Sequence, residues 1–126
     1  MPAALLDTNA ALWMIANSSR LSPRALETVL DPSVRLVVSA ASLWEVAIKR
    51  SIGKLRAPAD LSRRLATRRH VELLPISPLH AEAVGVLPWH HRDPFDRLLV
   101  AQAQAEKLAI VSPDPALAQY GVDVIW

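Results

Sequence analysis

The chain contains no cysteine, which excludes disulfide staples and thiolate metal sites and suits a reducing compartment. No apolar run approaches the roughly 18 residues that a membrane span requires. The opening Met1-Pro2-Ala3-Ala4-Leu5-Leu6-Asp7 has no basic region and meets an acid too early for a signal peptide. A cytoplasmic protein with no membrane contact is the expectation. Aromatic residues are few, at four Trp, one Tyr and one Phe. That supply is thin for a platform on which single-stranded bases stack. Internal repeats, low-complexity tracts and linkers are all missing, so residues 1–126 are read as one domain.

What is present is a globular composition: 52% hydrophobic residues against 21% charged. The net charge of +2 hides a strong local imbalance. Lys49, Arg50, Lys54, Arg56, Arg63, Arg64, Arg68 and Arg69 face a single acid, Asp60, over the same stretch. Such a run suits a phosphate backbone, although a solvated helix face has the same composition.

The most informative stretch is His91-Arg92-Asp93-Pro94-Phe95-Asp96-Arg97-Leu98-Leu99-Val100-Ala101-Gln102-Ala103. Asp93 followed by Pro94 reads as an N-cap with proline at the first helical position. The apolar residues behind it are numerous enough for a helix buried on most sides. Asp96 then lies in the first turn, where free N–H groups favour an anion. Read alone, Asp93 and Asp96 are capping acids.

The remaining chain alternates short apolar runs with amphipathic helices. Strands are expected at 3–6, 35–38, 71–76, 108–111 and 122–126. Asp7-Thr8-Asn9 caps a helix over 10–16, and Ser22-Pro23 opens another to about Leu30. Ser39 opens one over 40–51 that stops near Gly53. An arginine-faced helix over 60–69 and one from Ser77-Pro78 to about Leu87 follow. A short helix ends near Tyr120-Gly121. Ser42 and Glu45 have capping-box spacing, but a start at Ser39 frees Glu45 to project from the second turn. Strand–helix alternation of this kind predicts an α/β domain with a mostly parallel sheet.

Sites in open α/β sheets form at the carboxyl ends of the strands. Asp7, Glu45, Asp96 and Asp114 all fall at that edge, and they meet if the strands of Asp7, Glu45 and Asp114 are neighbours. Two carboxylates about 4 Å apart repel by roughly 4 kcal/mol at an effective dielectric near 20. A cluster of them needs protons, cationic side chains or a metal. Oxygen donors without cysteine favour a hard cation such as Mg²⁺ or Mn²⁺, which suits phosphodiester hydrolysis. His70, His80, His90 and His91 offer no well-spaced zinc pair and are read as satisfied histidines. Trp13, Trp44, Trp89 and Trp126 are read as core or interface.

Asp7-Thr8-Asn9 after its strand, Ser39-Ala40-Ala41-Ser42-Leu43-Trp44-Glu45-Val46-Ala47-Ile48-Lys49, the Asp93–Ala103 block, and Ser112-Pro113-Asp114 resemble a PIN-domain protein. The nearest likeness is the VapC-type toxin of bacterial toxin–antitoxin pairs, and it spans nearly the whole chain in order. The resemblance implies a three-layer α/β/α sandwich and a Mg²⁺- or Mn²⁺-dependent ribonuclease. It also implies a homodimer neutralised by a cognate antitoxin. Asp7, Glu45, Asp96 and Asp114 match the family's catalytic and metal-binding acids. Thr8, Asn9, Ser39, Asp93 and Ser112 match supporting positions, with Ser112 standing where threonine is common. Lys49, Arg50, Arg63, Arg64 and Arg68 are the candidate RNA contacts. The competing expectation is a non-catalytic module of the same fold that binds RNA or a protein partner.

Overall fold

A computed structural model describes residues 2–126. Five strands, β1 (Ala3–Leu6), β2 (Arg35–Ser39), β3 (Val71–Leu74), β4 (Ala109–Val111) and β5 (Val124–Ile125), form one sheet in the order β3-β2-β1-β4-β5. Every pairing is parallel. Side chains alternate across β1 and β2: Ala4, Leu6, Leu36 and Val38 face one core, Leu5 and Val37 the other. On the first face pack α1 (Thr8–Ile15), α2 (Pro23–Leu30) and α4 (Leu61–Ala66) through Ala10, Met14, Ala25, Leu61 and Leu65. Against the second lie α5 (Pro78–Val84), α6 (Pro94–Glu106) and the 3₁₀ helix Pro115–Tyr120, through Leu99, Val100 and Leu117. α3 (Ala40–Ser51) reaches both cores, with Val46 in one and Ala41 in the other. The expected three-layer α/β/α sandwich with a parallel sheet is the architecture observed. Among the described residues no helix is long and apolar enough to cross a membrane.

The interior strands are β2, β1 and β4, and their continuous apolar character follows from burial on both faces. β1 is the point at which strand order reverses: the chain runs outward through β2 and β3, then returns to β4 on the other side. A crevice at the carboxyl ends beside β1 is the consequence.

Several boundaries differ from the sequence reading. α1 begins at Thr8 rather than at residue 10, because Asp7 itself is the N-cap and accepts the Ala10 amide at 2.8 Å. β3 ends at Leu74, since Pro75 has no amide to donate to the ladder. α4 covers only 61–66, and Asp60 makes no side-chain cap there. Instead it pairs with Arg64 at 3.0 Å. α5 stops at Val84, ahead of Gly85, three residues short of expectation. The final strand is only two residues long. Trp13 and Trp126 pack together, ring centroids 5.7 Å apart. Trp44 and Trp89 lie on the surface rather than in the core.

Candidate active site

Four chain segments deliver acids to the carboxyl edge of the sheet. Asp7 ends β1 and caps α1; Asp114 follows β4 and caps the 3₁₀ helix. Because β1 pairs with both β2 and β4, these two acids and the α3 residue Glu45 come together. α6 starts at the same edge, which places Asp96 in its first turn beside them. Asp7, Glu45, Asp96 and Asp114 line one cleft of about 170 Å³, with Asp93 and Lys49 on its wall. Thr8 and Asn9 line it as well.

Each acid is held by specific neighbours. Asp7 is buried and accepts the Ala10 amide, and both that amide and the Ser112 hydroxyl favour its ionised form. Burial nevertheless pushes its carboxyl above the usual range, with the Glu45 and Asp114 charges adding to the shift. Glu45, also buried, accepts from the Thr8 hydroxyl at 2.6 Å and from Lys49 Nζ at 2.7 Å. The bond to Glu45 in turn pushes the Lys49 ammonium upward, and the nearby Asp93 and Asp96 charges reinforce the shift. Asp93 caps α6, accepting the Phe95 amide at 2.8 Å and the Asp96 amide at 3.4 Å. Asp96 is pushed up to about 7 by burial first and then by the charge of Asp93. Asp7 and Glu45 contribute in the same direction, while His91 opposes them.

The supporting residues divide by depth. Ser39 lies beneath the cleft, fully buried; it caps α3 through the Ala41 amide and donates to Gln102 of α6. That bond joins the helices carrying Glu45 and Asp96. Ser112 is buried and accepts the Asp114 amide at 3.1 Å. The basic candidates do not gather in one place. Only Lys49 enters the cleft. Arg50 lines a separate depression with Leu43 and Pro58. Arg64 lines a groove beside α1 that meets the acidic cleft at Asn9, and Arg68 lies on another beside Met14 and Leu30. Arg63 is exposed on α4.

Two features of the site escaped the sequence. His91, read as a satisfied loop histidine, reaches between two of the acids: its Nε2 is 2.7 Å from Asp114 Oδ2 and 3.3 Å from Asp96 Oδ2. Arg97 is buried, and its guanidinium forks onto the backbone carbonyls of Val84, Leu87, Pro88 and His91 and onto the Tyr120 hydroxyl. Trp89 stacks over it, 3.8 Å from the ring centroid. The one available signal for Arg97 was a charged residue at a core position of α6. His80, by contrast, is satisfied in a capping box with Ser77.

The donor set suits a hard divalent cation. It consists of carboxylate oxygens, two of them on acids whose burial and mutual repulsion favour the protonated form. A divalent cation would relieve that repulsion. A family model described as PIN domain matches residues 4–123. The chain belongs to the PIN domain family. PIN domains are in general nucleases, and this PIN domain carries a cluster of acids suited to that chemistry. A comparison with curated proteins finds no match.

Among solved structures, this PIN domain is similar to VapBC2 from Rickettsia felis bound to a promoter DNA fragment, with TM-score 0.68 and 16% identity. The likeness covers 97% of this chain and 96% of that one. It is also similar to DNA-bound VapBC from Salmonella typhimurium, at TM-score 0.64 and 19% identity over 98% and 97% of the two chains. A toxin–antitoxin complex from Klebsiella pneumoniae gives TM-score 0.59 and 21% identity over 88% and 86%. At these identities the shared property is the fold.

Proposed function

We propose that this PIN domain is a Mg²⁺- or Mn²⁺-dependent endoribonuclease acting as the VapC-type toxin of a toxin–antitoxin pair. The observation that carries the reading is the convergence of Asp7, Glu45, Asp96 and Asp114 on one cleft at the carboxyl edge of the sheet. A pure binding module gains nothing from lining one cleft with acids that repel one another. A divalent cation held there supplies activation of water and neutralisation of charge on the phosphoryl group.

The chain's own residues then have distinct tasks. Asp7, Glu45 and Asp96, with Asp114, hold the cation. Thr8 fixes the rotamer of Glu45 by donating to it, and the Ala10 amide does the same for Asp7. Lys49 sits at the cleft wall, half-exposed, where it can meet a phosphate oxygen while still paired to Glu45. The groove that meets the cleft at Asn9 carries Arg20, Arg56 and Arg64 and offers a strand a continuous basic path.

The antitoxin partner is supported by the likeness to toxin–antitoxin complexes and by the apolar groove between α1 and α2. Met14, Leu21, Leu26 and Leu30 line that groove, and Arg68 sits on its rim. A homodimer is supported by the exposed apolar residues Trp44 and Ile48 on α3 and Ile52 at its C-cap.

The deciding experiment is cleavage of single-stranded and structured RNAs by purified, antitoxin-free protein in Mg²⁺ or Mn²⁺, with a chelator control. Cleavage should vanish in Asp7→Asn and Asp96→Asn and in excess chelator, while RNA affinity is largely kept. Cleavage that survives equally in Asp96→Asn overturns the reading. So does growth arrest by a mutant that cuts no RNA, which favours the binding module.

A further inference from the structure

His91 places an imidazole among the acids, and its surroundings define what it does there. Its Nε2 and one oxygen each of Asp96 and Asp114 lie within 4.8 Å of one another, a spacing at which three ligands can share one ion. The other ring nitrogen decides against ligation. Nδ1 accepts the backbone amide of Asp93 at 3.1 Å, so it carries no proton, and the ring proton lies on Nε2. A metal-ligating histidine has the reverse arrangement: its second nitrogen donates to a carbonyl or carboxylate. Here the second nitrogen faces a donor, and Nε2 points an N–H at the carboxylates.

The ring is also firmly mounted. The His91 amide donates to the Tyr120 hydroxyl at 2.9 Å, and Arg97 holds the carbonyls of Pro88 and His91. Asp114 has both oxygens in use: Oδ1 accepts the Ala116 amide at 2.9 Å, and Oδ2 accepts His91 Nε2 at 2.7 Å. An imidazole N–H thus fills the space between Asp96 and Asp114 and supplies part of the positive charge they require.

We infer that His91 is a positioning residue that takes, as a hydrogen-bond donor, the place of a second cation between Asp96 and Asp114. It thereby limits the cleft to a single divalent ion and holds Asp114 in its capping pose. This rests on the metal-dependent reading above, with the number of ions as its own separate consequence. Without the imidazole, Asp96 and Asp114 face each other with no intervening donor and recruit a second ion.

The test is a Mn²⁺ titration of the full chain, followed by the paramagnetic resonance signal of free Mn²⁺, on wild type, His91→Ala and His91→Gln. The wild type should bind one Mn²⁺ and His91→Ala two. His91→Gln, whose amide nitrogen falls near the position of Nε2, should return to one. Pulsed resonance of the loaded wild type should show no imidazole nitrogen coupling to the metal. A wild type that binds two ions, a His91→Ala protein that stays at one, or imidazole coupling that disappears in His91→Ala overturns the inference. If His91→Ala does not fold, wild-type stoichiometry and the nitrogen signal decide it. A wild type that binds no Mn²⁺ sinks the metal-dependent reading itself, an outcome distinct from the others.

Discussion

Asp96 shows how one side chain ties stability to function. Its carboxyl is raised from 3.8 to about 7 by burial and by Asp93, and Asp7 is raised as well. Between those values the unfolded chain has lost the Asp96 proton while the native chain keeps it. The native state therefore binds more protons, and stability falls as pH rises. Without metal, resistance to urea should decline from about pH 4 to about pH 7 and level off above, because both states are then ionised. Asp96→Asn should flatten that decline and be the more stable protein at pH 8 in chelator. Urea midpoints across this range check it, and an equal decline in both proteins refutes the assignment. The same raised carboxyl explains why a cation is welcome: it relieves repulsion that the fold imposes.

At the level of elements, the link between α5 and α6 depends on Arg97. Residues 85–93 contain no regular helix or strand, yet they position His91 and Asp93. Their carbonyls are gathered by one guanidinium lying beneath Trp89. Lysine has no planar fork, so Arg97→Lys leaves buried carbonyls unmet, at about 1–3 kcal/mol for each group left without a partner. The variant should lose at least about 2 kcal/mol in urea denaturation and become protease-sensitive between Val84 and Arg92. Equal stability and protection would assign Arg97 no such role. A comparable joint operates at Ser39 and Gln102, which fasten the start of α3 to the middle of α6 and so set the spacing of Glu45 and Asp96.

For the molecule as a whole, two consequences follow from placing an acidic cleft beside basic grooves. Metal that binds only the native state contributes RT ln(1 + [L]/Kd), about 2.7 kcal/mol at a hundredfold excess over Kd. Mn²⁺ should raise the melting temperature of the wild type, chelator should reverse the rise, and Asp96→Asn should respond weakly. No change in either protein would exclude the carboxylate site. Charge reversal of Arg63, Arg64 and Arg68 to glutamate should weaken RNA binding and flatten its salt dependence, because fewer counterions are released. Binding assays over a range of salt concentrations decide this. An unchanged slope, with weakened antitoxin binding, would assign those arginines to the protein partner.

Local physics makes much of this legible in one dimension. Caps such as Asp7, Ser22, Ser39, Ser77 and Asp93 announce helix starts because an N-terminal turn needs acceptors within three residues. Apolar runs bounded by such caps give the strands, and their alternation gives the parallel α/β class. Element ends were less legible where a proline, as at Pro75, or a competing ion pair, as at Asp60 and Arg64, cut them short. Strand order is not local, and it alone decides that Asp7, Glu45 and Asp114 meet: β1 lies between β2 and β4. The dispersal of the arginines over separate grooves has the same origin, since α4 packs beside β3 at the far edge of the sheet. His91 and Arg97 were hidden for a related reason. A loop histidine and a helical arginine carry no sequence signature of their partners, and only the packed chain brings carbonyls and carboxylates within reach of them.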